Sequence, residues 1–476
     1  MLFSSPVFLF LFLPLVLAVY AITPRAWRNG LLFIASLVFY AWDRPEIALV
    51  MLASIAANWV FGLWVEASRG SGSRLAVGVS VAANLALLAF FKYWNFLWDN
   101  LQALAPGIER FPATPVALPI GVSFFTFQAM SYVIDVHRGD VKASRNPIDF
   151  GMYKSLFPQL IAGPIVRYRD VAAQIVERTT STAGFARGAR RFILGLAKKM
   201  LVANVLAEVA DKIFGLDPHS LDAGTAWLGT ICYTAQIYFD FSGYSDMAIG
   251  LGHMLGFRFL ENFDFPYVSR SVTEFWRRWH ISLSSWFRDY LYVPLGGNRA
   301  GAGRTYANLL AVFFLCGLWH GAAWNFVVWG LFHGAFLVLE RLVRGERRGE
   351  SSWIGLPYTL VVAMVGWVFF RAPTLGQAWV HLQAMFGLGG GDGRAVHAGL
   401  YLDPLVVTAL VAACVGSTPW LRHLLAWRER RLAGRAGDAL DGALEIVGLG
   451  AVLGLLVLSS LMLSAGTYNP FIYFRF

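Results

Sequence analysis

Residues 306–342 read YANLLAVFFLCGLWHGAAWNFVVWGLFHGAFLVLERL, and this stretch decides how the chain has to fold. It is almost wholly apolar and carries no charged residue before Glu340, yet it contains two histidines, His320 and His333. A histidine in lipid hydrocarbon has to be met by polar protein groups or by water, because hydrocarbon offers no hydrogen-bond partner. The stretch therefore predicts membrane helices, with His320 as the first candidate for chemistry.

The whole sequence has the composition of an integral membrane protein. Of its 476 residues, 57% are hydrophobic and 14% are charged, and the mean hydropathy is +0.55. Soluble domains carry about 25% charged residues, so a water-soluble class is excluded. The net charge of +10 does not indicate nucleic-acid binding, because the basic residues lie in short loops and form no long run. The three cysteines are far apart in apolar segments, so we expect small buried side chains and no metal site.

Apolar segments of about 20 residues, the length that crosses a bilayer as a helix, recur along the chain. They predict an all-α polytopic membrane protein with about eleven transmembrane helices plus re-entrant and interfacial helices, all in a single domain over residues 1–476. The N-terminus lacks the basic region of a signal peptide, so we expect a retained first span. The clearer spans are predicted at residues 1–22, 29–42, 46–65, 75–97, 117–136, 353–371, 401–420 and 443–464.

Loop charges predict the orientation of the chain. Arg and Lys concentrate in alternate loops, and the face that carries more of them is expected to be cytoplasmic. Both termini then lie on the opposite, periplasmic side. Four further segments have their own predictions: a broken or re-entrant element at 146–170, a basic surface helix at 187–199, an interfacial amphipathic helix at 273–292, and an external segment with a glycine-rich turn at 372–400.

The stretch around His320 is predicted to be a hairpin. Arg304 precedes it and Arg341 follows it, so both of its ends are expected on the cytoplasmic side. From Tyr306 to Trp319 there are 14 residues, about 21 Å of helix, which is less than a hydrocarbon core of about 30 Å. A turn flanked by glycines would therefore hold His320 deep in the membrane. His333 on the returning arm is expected to be structural and hydrogen-bonded to a neighbouring helix.

The chemistry that such a histidine supports is proton transfer without a metal or a bound cofactor. The sequence has no phosphate-binding loop, no nucleophile elbow and no HExxH helix. A neutral histidine in an occluded site can remove the proton from a hydroxyl while that hydroxyl attacks an activated carbonyl. Asp240 and Asp246 interrupt the apolar stretch 224–257, and either one is expected to orient the imidazole or to pair with Arg258 or another structural partner.

Long motifs over nearly the whole length resemble one family, the membrane-bound O-acyltransferases, in the bacterial branch typified by the alginate O-acetyltransferase membrane subunit. The similar stretches are FSSPVFLFLFLPL near the N-terminus, KYWNF at 92–96, LPIGVSFFTFQAMSYVIDV at 118–136, FPQLIAGPIVRY at 157–168, QIYFDFSGYSDMAIGLGHMLGF at 236–257, ENFDFPY at 261–267, FWRRWHISLSSWFRDYLYVPLGGNR at 275–299, GLWHGAAWNFVVWGLFHG at 317–334 and NPFIYFRF at the C-terminus. The resemblance implies a fold with a central tunnel.

The resemblance also assigns expected roles to residues. His320 in the WHG motif matches the proposed catalytic base, and His280 in WRRWHISLSSW would orient the acceptor or polarise the thioester carbonyl. His280 has an open alternative as an interfacial histidine beside two tryptophans. The implied donor is cytoplasmic acetyl-CoA, whose phosphates would meet Arg277, Arg278 and Arg299. For these arginines, ordinary anchoring at the cytoplasmic surface is the alternative.

The C-terminal tail, residues 469–476, ends the chain with a tyrosine among aromatic residues. In similar proteins such a terminal tyrosine has been proposed as the acyl acceptor in a relay across the membrane. Tyr473 would then take the acetyl group and pass it to a periplasmic partner, while an aromatic anchor at the membrane interface is the alternative. Because much of the tail is apolar or aromatic, we expect it to fold back onto the membrane domain.

Taken with the resemblance, the sequence predicts an inner-membrane O-acetyltransferase subunit that serves an extracytoplasmic polysaccharide, alginate or a similar polymer. Its expected partners are acetyl-CoA, a periplasmic SGNH-like transferase and the polymer, with no nucleic acid. Two alternatives stay open. One is a transporter or flippase, which would also carry polar residues within the membrane, although no inverted repeat is evident. The other is acylation of a lipid or a peptide.

Overall fold

The computed structural model describes residues 1–68, 70–299, 301–344, 355–388, 397–431 and 437–470, and within them the chain is helical without β-strands. A π-helical segment, Phe8–Phe12, opens the N-terminal third, and a second one, Ala89–Tyr93, joins α4 to α5. Here the helices match the predicted spans closely. They are α1 (Leu13–Ile22), α2 (Arg28–Ala41), α3 (Pro45–Ala67), α4 (Ser71–Leu88), α5 (Trp94–Leu104) and α6 (Val122–Arg138).

The middle third mixes short helices with one very long helix. The predicted broken element at 146–170 is confirmed, because its proline and glycine residues divide it into short, almost fully buried pieces. The helices are α7 (Pro147–Ser155), α8 (Phe157–Leu160), α9 (Tyr168–Val176), α10 (Thr182–Ala197), α11 (Asn204–Phe214), α12 (Ala223–Leu255), α13 (Val272–Arg278) and α14 (Ile281–Phe287). Two π-helical segments, Lys198–Ala203 and Arg288–Tyr292, follow α10 and α14.

One prediction for this region is wrong. Residues 273–292 do not form a continuous interfacial helix but two short helices with a break at Trp279 and His280, and most of their aromatic side chains are buried. By contrast, the polar interruption FDFSGYSD leaves α12 unbroken over 33 residues. Its two aspartates are paired with basic residues of neighbouring segments, so the polar groups do not force the helix to end.

The last third contains the predicted hairpin and the later spans. Its helices are α15 (Ala302–His320), α16 (Trp324–Arg344), α17 (Gly355–Arg371), α18 (Leu375–Met385), α19 (Pro404–Gly416), α20 (Trp420–Arg431) and α21 (Gly437–Ser464). Most of the glycine-rich turn predicted after α18 lies outside the described residues. Cys232 and Cys316 are buried as expected, but Cys414 on α19 is exposed at the apolar outer surface of the bundle.

The length and apolar character of the described helices mark a membrane protein, although the number of eleven spans is not confirmed. Among these residues four helices are long and apolar enough to cross a bilayer: Pro45–Ala67, Ser71–Leu104, Trp324–Val343 and Leu444–Ser464. Shorter apolar helices cover Phe8–Ile22, Gly355–Arg371 and Pro404–Gly416. Helices that are broken into short pieces, such as those at 146–170, fall below a length criterion that assumes one continuous crossing.

Helix α12 lies between two apolar cores. One of its halves contributes Tyr244 and Met247 to a core with the N-terminal helices, and the other contributes Tyr233 and Phe239 to a core with α11 and the helices from α13 to α19. The long helix therefore ties the N-terminal half of the bundle to the half that carries the histidine hairpin.

Candidate active site

The hairpin places His320 at the last residue of α15, where the chain turns before α16 begins at Trp324. The predicted helix–turn–helix is therefore confirmed, while the depth of His320 in the membrane stays a prediction. The turn requires Gly321, which is extended (φ −161°, ψ 150°), because a methyl group at this position would overlap the ring of Phe326. The two arms also touch closely at glycines: a Cβ added at Gly330 would lie 3.2 Å from the Cα of Gly317. Side chains at these positions would separate the arms and shift His320.

His280 lies close to His320 although 40 residues separate them in sequence. The two ring centroids are 6.5 Å apart, and the side chains are only 1% and 7% exposed. Among the described residues, neither ring nitrogen of His280 has a hydrogen-bond partner. Buried polar atoms are nearly always paired, so an imidazole with two unpaired nitrogens is a candidate functional group. This buried position argues against the interfacial alternative for His280.

The backbone of His280 explains how it reaches this position. Its φ of 45° and ψ of 54° lie in the left-handed region, which side chains other than glycine seldom adopt. Asn262 holds the strained turn, because its carbonyl accepts from the Ile281 amide at 2.9 Å and its side-chain oxygen accepts from the Ser282 hydroxyl at 2.9 Å. Strained residues of this kind cluster at functional sites. Composition gave no sign of this break, and only the ENFD motif before it offered a signal.

A cavity of about 100 Å³ opens beside His320. At about 30 Å³ for each water, it has room for roughly three water molecules or a small acyl group. Its walls are Lys92, the segment from Leu118 to Phe124, Ile161, Trp319 and His320 itself. The LPIGVSF motif thus forms one wall of the space where a substrate would reach the histidine.

Unpaired polar atoms extend from this cavity into the protein. The indole N–H groups of Trp276, Trp319 and Trp329 are buried and have no hydrogen-bond partner among the described residues. The rings of Trp319 and Trp329 lie edge-on to His320, with centroids 4.9 and 5.0 Å away. A concentration of unpaired donors is costly unless a ligand or water meets them, so this region has the character of a binding site.

His333 occupies a different environment from His320. It is 1% exposed, and the rings of Trp276 and Trp329 surround it at 5.0 and 5.3 Å. Gly366 leaves room for its ring, because a Cβ at Gly366 would lie 3.0 Å from Cε1 of His333. The predicted hydrogen bond to a neighbouring helix is wrong, since neither ring nitrogen has a partner within the described chain. Aromatic packing holds this side chain instead.

The two aspartates of α12 are both in ion pairs. Asp240 lies 2.9 Å from Lys199, and both side chains are 1% exposed. Asp246 is 2.6 Å from Lys198 and 2.8 Å from Arg191, so structural partners other than Arg258 hold it. Asp240 is next in sequence to Phe241, whose ring packs edge-on against His280 at 4.6 Å. The buried pair is therefore connected to the candidate site through α12.

The three arginines predicted to bind the donor are near the ends of helices. Arg277 and Arg299 are exposed, whereas Arg278 pairs with Glu274 at 2.9 Å and with Asp264 at 3.4 Å. Sequence reasoning missed a second basic site, a surface cavity of about 560 Å³. Its lining residues are Arg138, Arg169, Asp289, Val293 and Pro294. The signal for it was present in the motifs VIDVHRGD and RYRD, which bring basic and acidic residues to adjacent helix ends.

The tail begins in contact with the body of the protein. The Asn469 amide nitrogen donates to the Ser4 carbonyl at 2.8 Å, the Asn204 amide donates to the Asn469 side-chain oxygen at 3.1 Å, and Lys199 donates to the Pro470 carbonyl. The start of the tail is thus folded back onto the domain as expected. Tyr473 lies outside the described residues. Among those that are described, no group of three or more His, Cys, Asp or Glu residues is placed to hold a metal ion.

Comparisons with known proteins identify the family. The profile of MBOAT, the membrane-bound O-acyltransferase family, matches residues 140–372, which include both His280 and His320. The chain is similar to the probable alginate O-acetylase AlgI of Azotobacter vinelandii, with 44% identity and full coverage of both chains. The protein of the same name from Pseudomonas aeruginosa is 43% identical, again with full coverage of both. The peptidoglycan O-acetyltransferase of Helicobacter pylori is 35% identical over 82% of this chain and 80% of its own. The chain therefore belongs to the membrane-bound O-acyltransferase family and is an acyltransferase of the membrane.

Proposed function

We propose that this protein transfers an acetyl group from cytoplasmic acetyl-CoA across the inner membrane, for O-acetylation of an extracytoplasmic polysaccharide such as alginate. The observation that carries the proposal is the pairing of two buried histidines, with ring centroids 6.5 Å apart, beside a cavity at the break of a membrane hairpin. Relatives along the full length have names that describe alginate O-acetylation, which supports alginate or a similar polymer as the acceptor.

His320 acts as the general base in this proposal. Its ring takes the proton of the acceptor hydroxyl while the hydroxyl oxygen attacks the thioester carbonyl of acetyl-CoA. The carbon–sulfur bond then breaks, and His320 returns the proton to the leaving thiolate, so that the products are an acetyl ester and free CoA. His280 donates a hydrogen bond to the carbonyl oxygen or orients the acceptor, since both of its nitrogens are unpaired in the described chain. A buried site with few competing waters favours transfer over hydrolysis.

The charges at the helix ends suit an anionic donor. Arg277, Arg278 and Arg299 would contact the phosphates of CoA at the cytoplasmic mouth of the site. Arg277 and Arg299 are exposed and so are accessible to a ligand from water, while Arg278 would have to exchange its present carboxylate partners. We assign Asp240 and Asp246 supporting roles, in which their ion pairs hold α12 in place behind Phe241 and His280.

The acyl group would leave through the C-terminal tail. In this part of the proposal the phenol of Tyr473 attacks acetyl-CoA, with His320 as base, and the acetyl ester then passes to a periplasmic SGNH-like transferase that modifies the polymer. The anchored start of the tail, at Asn469 and Pro470, supports a tail that stays at the protein. Ser4 contacts Asn469, so the two ends of the described chain share one face, which we propose to be periplasmic.

Acetyl-CoA turnover by the purified protein tests the proposed donor and reaction. We expect release of CoA that requires either the periplasmic partner or an acceptor polymer, because transfer and not hydrolysis is the favoured route. The measurement is free thiol release from acetyl-CoA by protein in lipid nanodiscs, with and without the partner. His320→Ala protein serves as the control. Movement of polymer fragments into proteoliposomes without any acetyl-CoA consumption would instead identify a transporter.

Replacement of Tyr473 by Phe tests the relay. We expect acetylation of the extracellular polymer to fall at least about tenfold in cells, because the phenol oxygen that accepts the acetyl group is lost while the aromatic ring stays. Acetylated polymer is measured at matched protein level, and mass spectrometry of the tail peptide seeks the acetylated tyrosine. Tyr468→Phe is the matched control, since Tyr468 directly precedes the tail and its hydroxyl donates to Asp211. If the Tyr473→Phe variant acetylates the polymer as well as the unsubstituted protein does, the relay is ruled out and Tyr473 is an aromatic anchor.

A further inference from the structure

The last carbonyl groups of helix α15 need hydrogen-bond donors from outside the helix. The last four carbonyl groups of an α-helix have no partner within the helix. Here they belong to Gly317, Leu318, Trp319 and His320, in a turn where Trp319 and His320 are only 4% and 7% exposed. Buried backbone carbonyls are nearly always hydrogen-bonded, so we expect the protein to supply donors at this turn.

Two consecutive residues, Lys92 and Tyr93, supply almost all of these donors. The backbone amide of Gly321 donates to the Gly317 carbonyl at 3.2 Å, which is the last i to i−4 bond at the end of the helix. Tyr93 donates from its hydroxyl to the Leu318 carbonyl at 2.5 Å. Lys92 donates from Nζ to the carbonyl of Trp319 and, at 3.0 Å, to that of His320. Every terminal carbonyl of α15 is therefore satisfied, three of them from one dipeptide more than 220 residues away.

The local helix geometry brings both side chains to this position. Lys92 and Tyr93 end the π-helical segment Ala89–Tyr93, which interrupts the long apolar helix Ser71–Leu104. A π-helical turn inserts one residue into the helix and changes which side chains face a neighbour, and such turns are frequent at functional sites. Lys92 is buried, and a lysine is costly at this depth unless it has a specific task.

We infer that Lys92 and Tyr93 are positioning residues that hold the end of α15 so that the His320 ring faces the cavity. An ammonium group has three hydrogens to donate, and Lys92 Nζ has three acceptors, since it also lies 3.3 Å from the Ser123 hydroxyl. With its donors occupied, Lys92 has none left for a substrate and so is not itself catalytic.

This inference rests on the proposed function of His320 as base. The two carbonyls bound by Lys92 flank the backbone of His320, so their bonds restrict the torsions that aim its side chain. Displacing a catalytic group by about 1 Å can reduce the rate by about 100-fold. Ser123 belongs to the wall of the same cavity, so Lys92 also fixes the histidine relative to the space that would hold the acyl group.

The chain offers a matched control pair, Tyr153 and Lys154. Lys154 is fully buried and donates from Nζ to the Ser54 carbonyl at 2.9 Å and to the Ser54 hydroxyl at 2.5 Å. Tyr153 is 1% exposed and donates to the Val166 carbonyl at 3.1 Å. These bonds are of the same kinds as those of Lys92 and Tyr93, but they join α7 to α3 and to the segment before α9, and none of them reaches α15.

The experiment compares Lys92→Met with Lys154→Met, and Tyr93→Phe with Tyr153→Phe, in nanodiscs at equal folded protein. We expect Lys92→Met to lower kcat for acetyl transfer by about 10- to 100-fold, with the KM for acetyl-CoA within about twofold. Lys154→Met should lower thermal stability but leave kcat within about twofold. Tyr93→Phe, which loses one carbonyl contact, should show a smaller loss of kcat than Lys92→Met and a larger one than Tyr153→Phe.

The outcomes separate this inference from the proposed function. If kcat falls equally in the Lys92 and Lys154 variants while His320→Ala is inactive, the positioning role is overturned and the base assignment stands. If Lys92→Met does not fold, the comparison of Tyr93→Phe with Tyr153→Phe decides in the same way. Full activity of His320→Ala would remove the proposed function itself.

Discussion

We expect polymer acetylation in cells that carry His320→Ala to fall at least about 100-fold at matched protein level. General base catalysis contributes about 10²- to 10⁴-fold, and no other group is proposed to accept the hydroxyl proton. The measurement is the ester content of the secreted polymer, together with CoA release by the purified protein. His320 is buried at the cavity and at the turn of the hairpin, so the loss should appear in kcat and not in the KM for acetyl-CoA.

A matched substitution separates chemistry from damage to the hairpin. His320→Asn and His333→Asn make the same change on the two arms of one hairpin, and both side chains are buried among tryptophans. Only the first is expected to abolish transfer, because His333 is held by aromatic packing and against Gly366. If both variants lost activity equally while remaining folded, His320 would no longer stand apart as the base. Undiminished acetylation by His320→Ala would end the assignment outright.

Asp240→Ala is expected to destabilise the protein by about 3–5 kcal/mol. The change removes the carboxylate 2.9 Å from Lys199, where both side chains are 1% exposed, and leaves a buried charge without its counter-ion. Thermal unfolding of the purified protein in detergent or nanodiscs measures the effect. We also expect increased proteolysis at the C-terminal tail, because Lys199 holds the Pro470 carbonyl as well.

Two controls define this result. Glu208→Ala breaks another lysine–carboxylate pair, in which the side chains of Glu208 and Lys212 are 52% and 58% exposed. Because both side chains are exposed, the change should lower the free energy of unfolding by no more than about 1 kcal/mol. The double variant Lys199→Met with Asp240→Leu should recover much of the loss, because replacing both charges leaves none unpaired. A single Asp240→Ala variant as stable as Glu208→Ala would mean that water reaches the pair and screens it.

Much of the architecture could be predicted because its causes are local in sequence. Apolar segments near 20 residues predicted the helices of the N-terminal third, and proline and glycine predicted the broken element at 146–170. The short arms on either side of Gly317 and Gly321 predicted the hairpin. At 273–292 the amphipathic composition predicted an interfacial helix, and this prediction was wrong. The structure has two short helices there, and most of their aromatic side chains are buried in the protein. Amphipathic composition does not distinguish a lipid interface from a polar interior.

By itself the sequence determined the membrane class, the hairpin and the identity of His320 as the candidate base, because hydropathy, helix length and motif are all properties of contiguous residues. Only the tertiary structure decided what meets that histidine. His280 approaches it through a left-handed backbone turn held by Asn262, and Lys92 and Tyr93 reach the end of α15 from more than 220 residues away. Such contacts depend on how helices pack and on which buried polar groups must find partners, and neither is encoded in the periodicity of a single helix.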